Sequence, residues 1–239
     1  MKLADVDAWL HRLDVSATTW GNYAKAISSV FRLAVKRGYL PSSPLTGIER
    51  PKVAIKAPCI LTPSQAFALL TAAVPELRAM LVLQAFCGLR RSEANRLQWK
   101  HIHLEGDEPY VELPSEVTKT NRRRVCRIPA CAVAWLKPLA GVPGASLGLT
   151  ETPYRNRLNE AATDAKIEWE ENLLRHSFGT YRMAETKNAA LVADEMGNSP
   201  AVVRTNYQNV TSPEQAAAWW KVVPAPPADT VPFPQSKAS

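Results

Sequence analysis

None of the four cysteines, Cys59, Cys87, Cys126 and Cys131, stands in a CxxC pair, and the four histidines do not fall beside them at metal-ligand spacing. A zinc site and a disulfide framework are both unexpected, no cofactor is called for, and a reducing cytoplasm is the simplest home. Long apolar runs are missing too. Charges interrupt every apolar stretch of the opening MKLADVDAWLHRLDV, so neither a signal peptide nor a membrane span is expected, and nothing suggests a membrane partner. Acidic residues are the third shortage. Twenty-two Asp and Glu against 29 Lys and Arg leave a formal charge of +7, which favours a polyanionic partner such as nucleic acid over an acidic small molecule. A basic surface kept for solubility is the other reading of the same numbers.

What is present suits a globular protein. With 46% apolar and 21% charged residues, 239 residues can bury one core with room for a small second unit. Tyr23, Ala26, Ile27, Val30, Phe31, Ala34 and Val35 recur at helical spacing, predicting a helix over 18–37 that is capped by Thr18 or Thr19, ends at Gly38 and packs along that stripe. A shorter helix is expected over 3–13. Residues 1–50 thus read as a small helical unit, followed by a proline-bearing basic linker over 51–60. Thr62-Pro63-Ser64-Gln65 supplies a cap, a first-turn proline and a glutamine that can close a capping box, so a helix should run to about Ala73. The next spans Glu76 to Cys87 and stops at Gly88. Residues 110–113 and 124–128 alternate like two antiparallel strands around a polar turn. Helices return near 130–139, 153–166, 173–184, 188–196, 200–206 and 213–221. Residues 61–223 form the main domain of a mostly α fold with a small antiparallel β-sheet, and 224–239, with five prolines, is expected to be disordered. Trp219 and Trp220 are expected to be buried, in this chain's own core or in a neighbour's.

Several polar elements stand out in this main domain: Gly88-Leu89-Arg90 with Ser92-Glu93, Lys119 in the strand turn, Asn172-Leu173-Leu174-Arg175-His176, and Tyr207, which falls 32 residues after Arg175. In order and spacing they resemble the tyrosine site-specific recombinase, or phage integrase, family from about Leu61 to Tyr207. The GLR and SE elements match its first box, the Arg-His pair its HxxRH box, and Thr118-Lys119-Thr120 followed by Arg127-Ile128-Pro129 approximates its hairpin lysine pattern. Arg37-Gly38-Tyr39-Leu40 and Ser43-Pro44-Leu45 resemble the end of the family's core-binding domain, of which about half is present. The resemblance implies an integrase-like catalytic domain behind a truncated core-binding domain, double-stranded DNA as partner, a homo-oligomer (a tetramer on DNA), and integration or recombination of a mobile element as the activity. The chain is open to being a fragment of a longer product.

The implied chemistry is metal-free. Arg90 and Arg175 would neutralise the non-bridging oxygens of a phosphodiester, Lys119 would protonate the departing 5′-oxygen, and Tyr207 would form a 3′-phosphotyrosyl bond that conserves the energy for rejoining. Glu93 and His176 would support the pocket, His176 being set apart from proton transfer because adjacent helix residues point in different directions. Arg122, Arg123 and Arg124 would contact DNA phosphates, with a solvated turn as the alternative. Two positions depart from the family. The first histidine of its HxxRH box is Asn172 here and the histidine (sometimes Trp) of its later LGH-like turn is Asn198, and an amide can bind phosphate but cannot exchange a proton near neutral pH. Asn172 also suits an N-cap and Asn198 a turn. Two further readings stay open on this evidence: a catalytically attenuated DNA-binding relative or accessory factor, and a type IB topoisomerase-like relaxing enzyme.

Overall fold

Contacts divide the chain into two compact units, Met1–Lys56 and Ala57–Ser239. The computed structural model describes residues 3–48, 51, 58–118, 123–142 and 147–226. Residues 52–57 of the linker expected over 51–60, and 227–239 of the tail expected to be disordered over 224–239, lie outside the described residues.

The first unit pairs α1 (Leu3–His11) with α2 (Ala17–Lys36). Ser16, not Thr18 or Thr19, caps α2, its Oγ accepting from the Thr19 amide at 3.3 Å. The packed stripe is also rotated from the expected one. Val6, Leu10, Trp20, Ala24 and Leu45 form the core, whereas Tyr23 and Val30 are exposed. A period of 3.6 fixes the width of an apolar stripe, and only the partner helix decides which edge of it is covered.

The second unit is built around α4 (Pro75–Cys87), in which Leu77 and every residue from Ala79 to Cys87 are buried. A helix apolar all round belongs in the middle of a core, where each fully buried Leu contributes roughly 1.5–3 kcal/mol. Around it lie α3 (Pro63–Ala72), the short α5 (Arg91–Ala94), α6 (Ala130–Leu136), α7 (Glu151–Asp164) and α8 (Leu173–Thr186). The expected Thr62–Gln65 capping box opens α3, with Gln65 N donating to Thr62 Oγ1 at 3.2 Å and Thr62 N to Gln65 Oε1 at 2.9 Å.

Three antiparallel strands, β1 (Ile102–His103), β2 (Tyr110–Leu113) and β3 (Arg124–Arg127), pair in sequence order, Ile102 opposite Val111 and Val111 opposite Cys126. The fold is therefore mostly helical with a small antiparallel sheet. β1 escapes sequence analysis because two residues carry no period. Three helices complete the unit: α9 (Ala189–Met196), α10 (Pro200–Tyr207) and α11 (Pro213–Trp219). Trp219 is fully buried in this chain's own core and stacks on Tyr181 with ring centroids 4.5 Å apart. Trp220 is half-buried, edge-on to Phe178.

Candidate active site at two converging helix ends

Two helix C-termini meet on one side chain. α4 ends with Gly88 at φ 65° and α9 with Gly197 at φ 62°. The last four carbonyls of a helix lack intrahelical partners and carry the negative end of its dipole. Here guanidiniums meet the carbonyls at both helix ends. Arg175, in the first turn of α8 and 6% exposed, donates through Nη1 to the Gly88 carbonyl and through Nη2 to the Met196 carbonyl at 2.6 Å. Arg90 donates through Nη2 to the Gly197 carbonyl at 2.7 Å. A side chain at Gly88 would be strained twice over, by the left-handed backbone and by a Cβ only 2.4 Å from the Phe178 ring.

Asn198 joins the two arginines. Its Oδ1 accepts from Arg90 Nη2 at 3.0 Å and from Arg175 Nη2 at 3.2 Å, across more than 100 residues of sequence in the first case. Burial, and then the neighbouring Arg90 charge, bring the Arg175 pKa down to about 10, so the guanidinium stays protonated at neutral pH.

Glu93 anchors the cluster from below. Fully buried, it accepts four hydrogen bonds: Oε1 from Arg90 Nη1 at 2.8 Å and Arg124 Nη1 at 3.1 Å, Oε2 from the Arg90 amide at 2.9 Å and Arg124 Nη2 at 2.7 Å. These fill a carboxylate's four lone-pair directions. Burial alone would push the Glu93 carboxyl up, but the Arg124 and Arg90 bonds outweigh it and hold the group below the ordinary glutamate range. Arg124 is thus turned inward, its side chain 13% exposed, and is not the DNA-facing turn residue expected beside Arg122 and Arg123. The β-alternation explains this, since Arg124 shares its face of β3 with the buried Cys126. Arg123 is exposed and pairs with Glu112 at 2.7 Å. Lys119 and Arg122 lie outside the described residues.

Tyr207 ends α10 with only 4% of its surface exposed. Gly179 lets its ring lie flat against α8, because a Cβ there would sit 2.8 Å from Tyr207 Cε2. Sequence reasoning missed Gly179, although a glycine inside a helix, costing roughly 1 kcal/mol against alanine, signals a packing reason. Gly179→Val is expected to lower stability by about 1–3 kcal/mol through overpacking against this ring, measurable by thermal unfolding.

His176 Nδ1 lies 3.1 Å from Tyr207 Oη, with the two rings tilted at 51°. His176, expected to support the pocket from beside Arg175, lies against the Tyr207 hydroxyl itself. Adjacent helix residues do diverge, but Tyr207 arrives from another helix and reaches the flank that His176 presents. Burial, then Arg175, hold the His176 pKa below its ordinary value, against Glu170. Burial raises the Tyr207 phenol, outweighing Arg175 and Arg90, so the hydroxyl keeps its proton at neutral pH. Asn172 stands at the N-cap position of α8, yet its φ of 62° takes the backbone out of the capping region and its side chain makes no capping bond. It is exposed and, with Arg90, Arg175, His176 and Tyr207, lines an open cleft. An anion with tetrahedral oxygens suits a cleft that presents two guanidiniums and an amide beside a tyrosine hydroxyl. Among the described residues no group of three or more His, Cys, Asp or Glu could hold a metal ion, and no helix is long and apolar enough to cross a membrane.

Residues 60–212 match the sequence profile of the phage integrase family. A tyrosine recombinase XerC from Xanthomonas axonopodis pv. citri (strain 306) is 25% identical over 218 residues, covering 84% of this chain and 70% of the relative. A tyrosine recombinase XerC from Xylella fastidiosa (strain M23) is 24% identical, covering 84% and 72%. The fold is shared with solved structures at lower identity. A XerH site-specific recombinase bound to difH substrate superposes with TM-score 0.63 at 21% identity, over 92% of this chain and 71% of that one. A lambda integrase dimer bound to a COC' core site gives 0.66 at 14%, over 88% and 82%.

Proposed function

This chain belongs to the phage integrase family of tyrosine recombinases, and we propose that it cuts and rejoins duplex DNA through a 3′-phosphotyrosyl intermediate on Tyr207. The observation that carries the reading is the meeting of Arg90, Arg175 and Tyr207 in one cleft, with Asn198 Oδ1 bonded to both guanidiniums. Held on helix-end carbonyls, the arginines need little reorganisation to receive the charge that develops on a phosphodiester under attack, and such preorganisation is the largest part of electrostatic catalysis. Tyr207 Oη attacks phosphorus, the bond to the 5′-oxygen breaks, and Lys119, in the segment joining β2 to β3, is the proposed donor of the proton that oxygen takes. Asn172 offers a hydrogen bond to the same phosphate from the exposed side. The partner is double-stranded DNA, and by the example of relatives solved as a dimer and as a tetramer on DNA, the working form is a homo-oligomer. Arg122 and Arg123 add salt-sensitive phosphate contacts. Integration or excision of a mobile element, in the cytoplasm, is the setting this chemistry fits. Residues 1–50 serve as a partial clamp on the DNA, joined through 51–60 to the catalytic domain of 61–223.

The test is covalent trapping. The chain is incubated with a library of nicked suicide duplexes carrying a randomised core, so that the cut segment diffuses away and the enzyme stays attached. A denaturing gel is expected to show a protein–DNA adduct, and peptide mapping to place the nucleotide on Tyr207. The two asparagines at histidine positions favour a second reading, a DNA-binding relative that no longer recombines. Duplex binding without any adduct would establish that reading instead.

A further inference from the structure

The amides of Asn172 and Asn198 cannot take up a proton near neutral pH, so the proton on Tyr207 Oη needs another destination. We infer that His176 is the general base of the reaction proposed above, on which this inference rests: Nδ1, 3.1 Å from Tyr207 Oη, takes the phenolic proton as Oη attacks phosphorus. The distance lies within the range required of a catalytic base before the substrate arrives. The 51° tilt keeps the rings from stacking and leaves the edge of the imidazole facing the hydroxyl.

The step balances. The Oη–P bond forms, the P–O5′ bond breaks, the proton on Oη moves to Nδ1 to give imidazolium, and O5′ takes its proton from the donor assigned to Lys119. On rejoining, a 5′-hydroxyl attacks the phosphotyrosyl phosphorus and returns its proton to the donor assigned to Lys119, while the Oη–P bond breaks and the departing Oη recovers its proton from His176. For Nδ1 to accept, the neutral ring must carry its hydrogen on Nε2.

The surroundings favour that state. Tyr207 faces the imidazole from α10, Arg175 lies beside it on α8, Glu170 stands in the turn before α8, and Arg90, Arg91 and Glu171 line the same cleft. Burial and Arg175 outweigh Glu170 and keep the ring neutral around pH 7, whereas burial keeps the phenol protonated. A neutral base beside a protonated nucleophile is the pairing that attack requires.

Two measurements on the full chain test the assignment. In single-turnover cleavage of a suicide duplex recovered from the randomised library, the parent rate is expected to rise through the lowered histidine pKa and level off by neutral pH. His176→Gln, which keeps a polar group but cannot hold the proton, is expected to be slower by roughly 10²–10⁴-fold at pH 7 and to regain rate steadily toward alkaline pH as the phenol ionises unaided. A deficit of equal size at every pH would mark a merely structural role and overturn the assignment, as would no deficit. A parent chain that forms no adduct would overturn the recombinase reading itself, a result distinct from either. In the DNA-free chain, ¹⁵N-histidine spectra are expected to show His176 as the Nε2–H tautomer at neutral pH, with its Nδ1 resonance moving in Tyr207→Phe. A proton on Nδ1 would overturn the assignment whatever the cleavage result.

Discussion

Tyr207→Phe is expected to form no covalent adduct with any suicide duplex, while folding with nearly the parent's stability and binding DNA within a few-fold of it. The substitution removes one oxygen and leaves the ring, which fills the space over Gly179 and packs with Phe178, Met196 and Val203. The lost hydrogen bond to half-buried His176 is worth only about 0.5–1.5 kcal/mol, less whatever water restores to the imidazole. Arg90 and Arg175 keep their backbone anchors, so the proposed phosphate site survives without the proposed nucleophile. Denaturing gels, thermal unfolding and a duplex-binding titration read the three parts separately. An adduct that persisted would place the nucleophile elsewhere.

Glu93→Ala is expected to cost about 3–5 kcal/mol, because removing one partner of a buried ion pair strands the other charge. Two guanidiniums are stranded here, those of Arg90 and Arg124, with side chains 24% and 13% exposed. For a domain of this length that is a fall in Tm of roughly 6–20 °C. Adduct formation should fall with it, since Arg90 loses its Nη1 bond to Glu93 and the amide bond that opens α5, keeping those from Nη2 to Gly197 and Asn198. Acid should mimic the change in the parent. A carboxylate whose folded pKa is depressed contributes stability that is present above its unfolded value and lost as pH falls through the folded value. That part of the acid sensitivity should be missing from Glu93→Gln, whose unfolding curve is expected to flatten against pH in the acidic range.

The sequence discloses much of what is local. The Thr62 to Gln65 box, the apolar run of α4, the glycine stop at Gly88 and the alternation of β2 all depend on neighbours within a turn or a strand, and each element formed where those cues stand. Arg90, Arg175 and Tyr207 are legible as a set through the resemblance of their order and spacing to the phage integrase family, and singly none of them stands out. What stayed hidden depends on approach from elsewhere in the chain. Asn198 is a candidate by its place in the resemblance, but its bond to both guanidiniums is seen only when Arg90 arrives from 108 residues away. Arg124 reads as one of three solvated arginines until the face of β3 and the buried Glu93 are seen together. His176 could not be judged from its own helix, because the hydroxyl it meets belongs to α10. Asn172 shows the converse: its residue type favours a cap, yet the left-handed backbone leading into α8 prevents one.

Arg175 ties the carbonyl ends of α4 and α9 together as well as facing the cleft. A lineage that drifts away from strand cleavage can therefore discard the tyrosine hydroxyl or an exposed amide at little expense to folding, whereas discarding this guanidinium would leave helix-end carbonyls without donors in the interior. The order in which such a protein decays is thereby constrained: proton-handling and nucleophilic groups are free to go first, and the phosphate cradle, being also a rivet between helices, is retained longest. An inactive descendant would still recognise the DNA backbone and would compete with its active relatives for their sites.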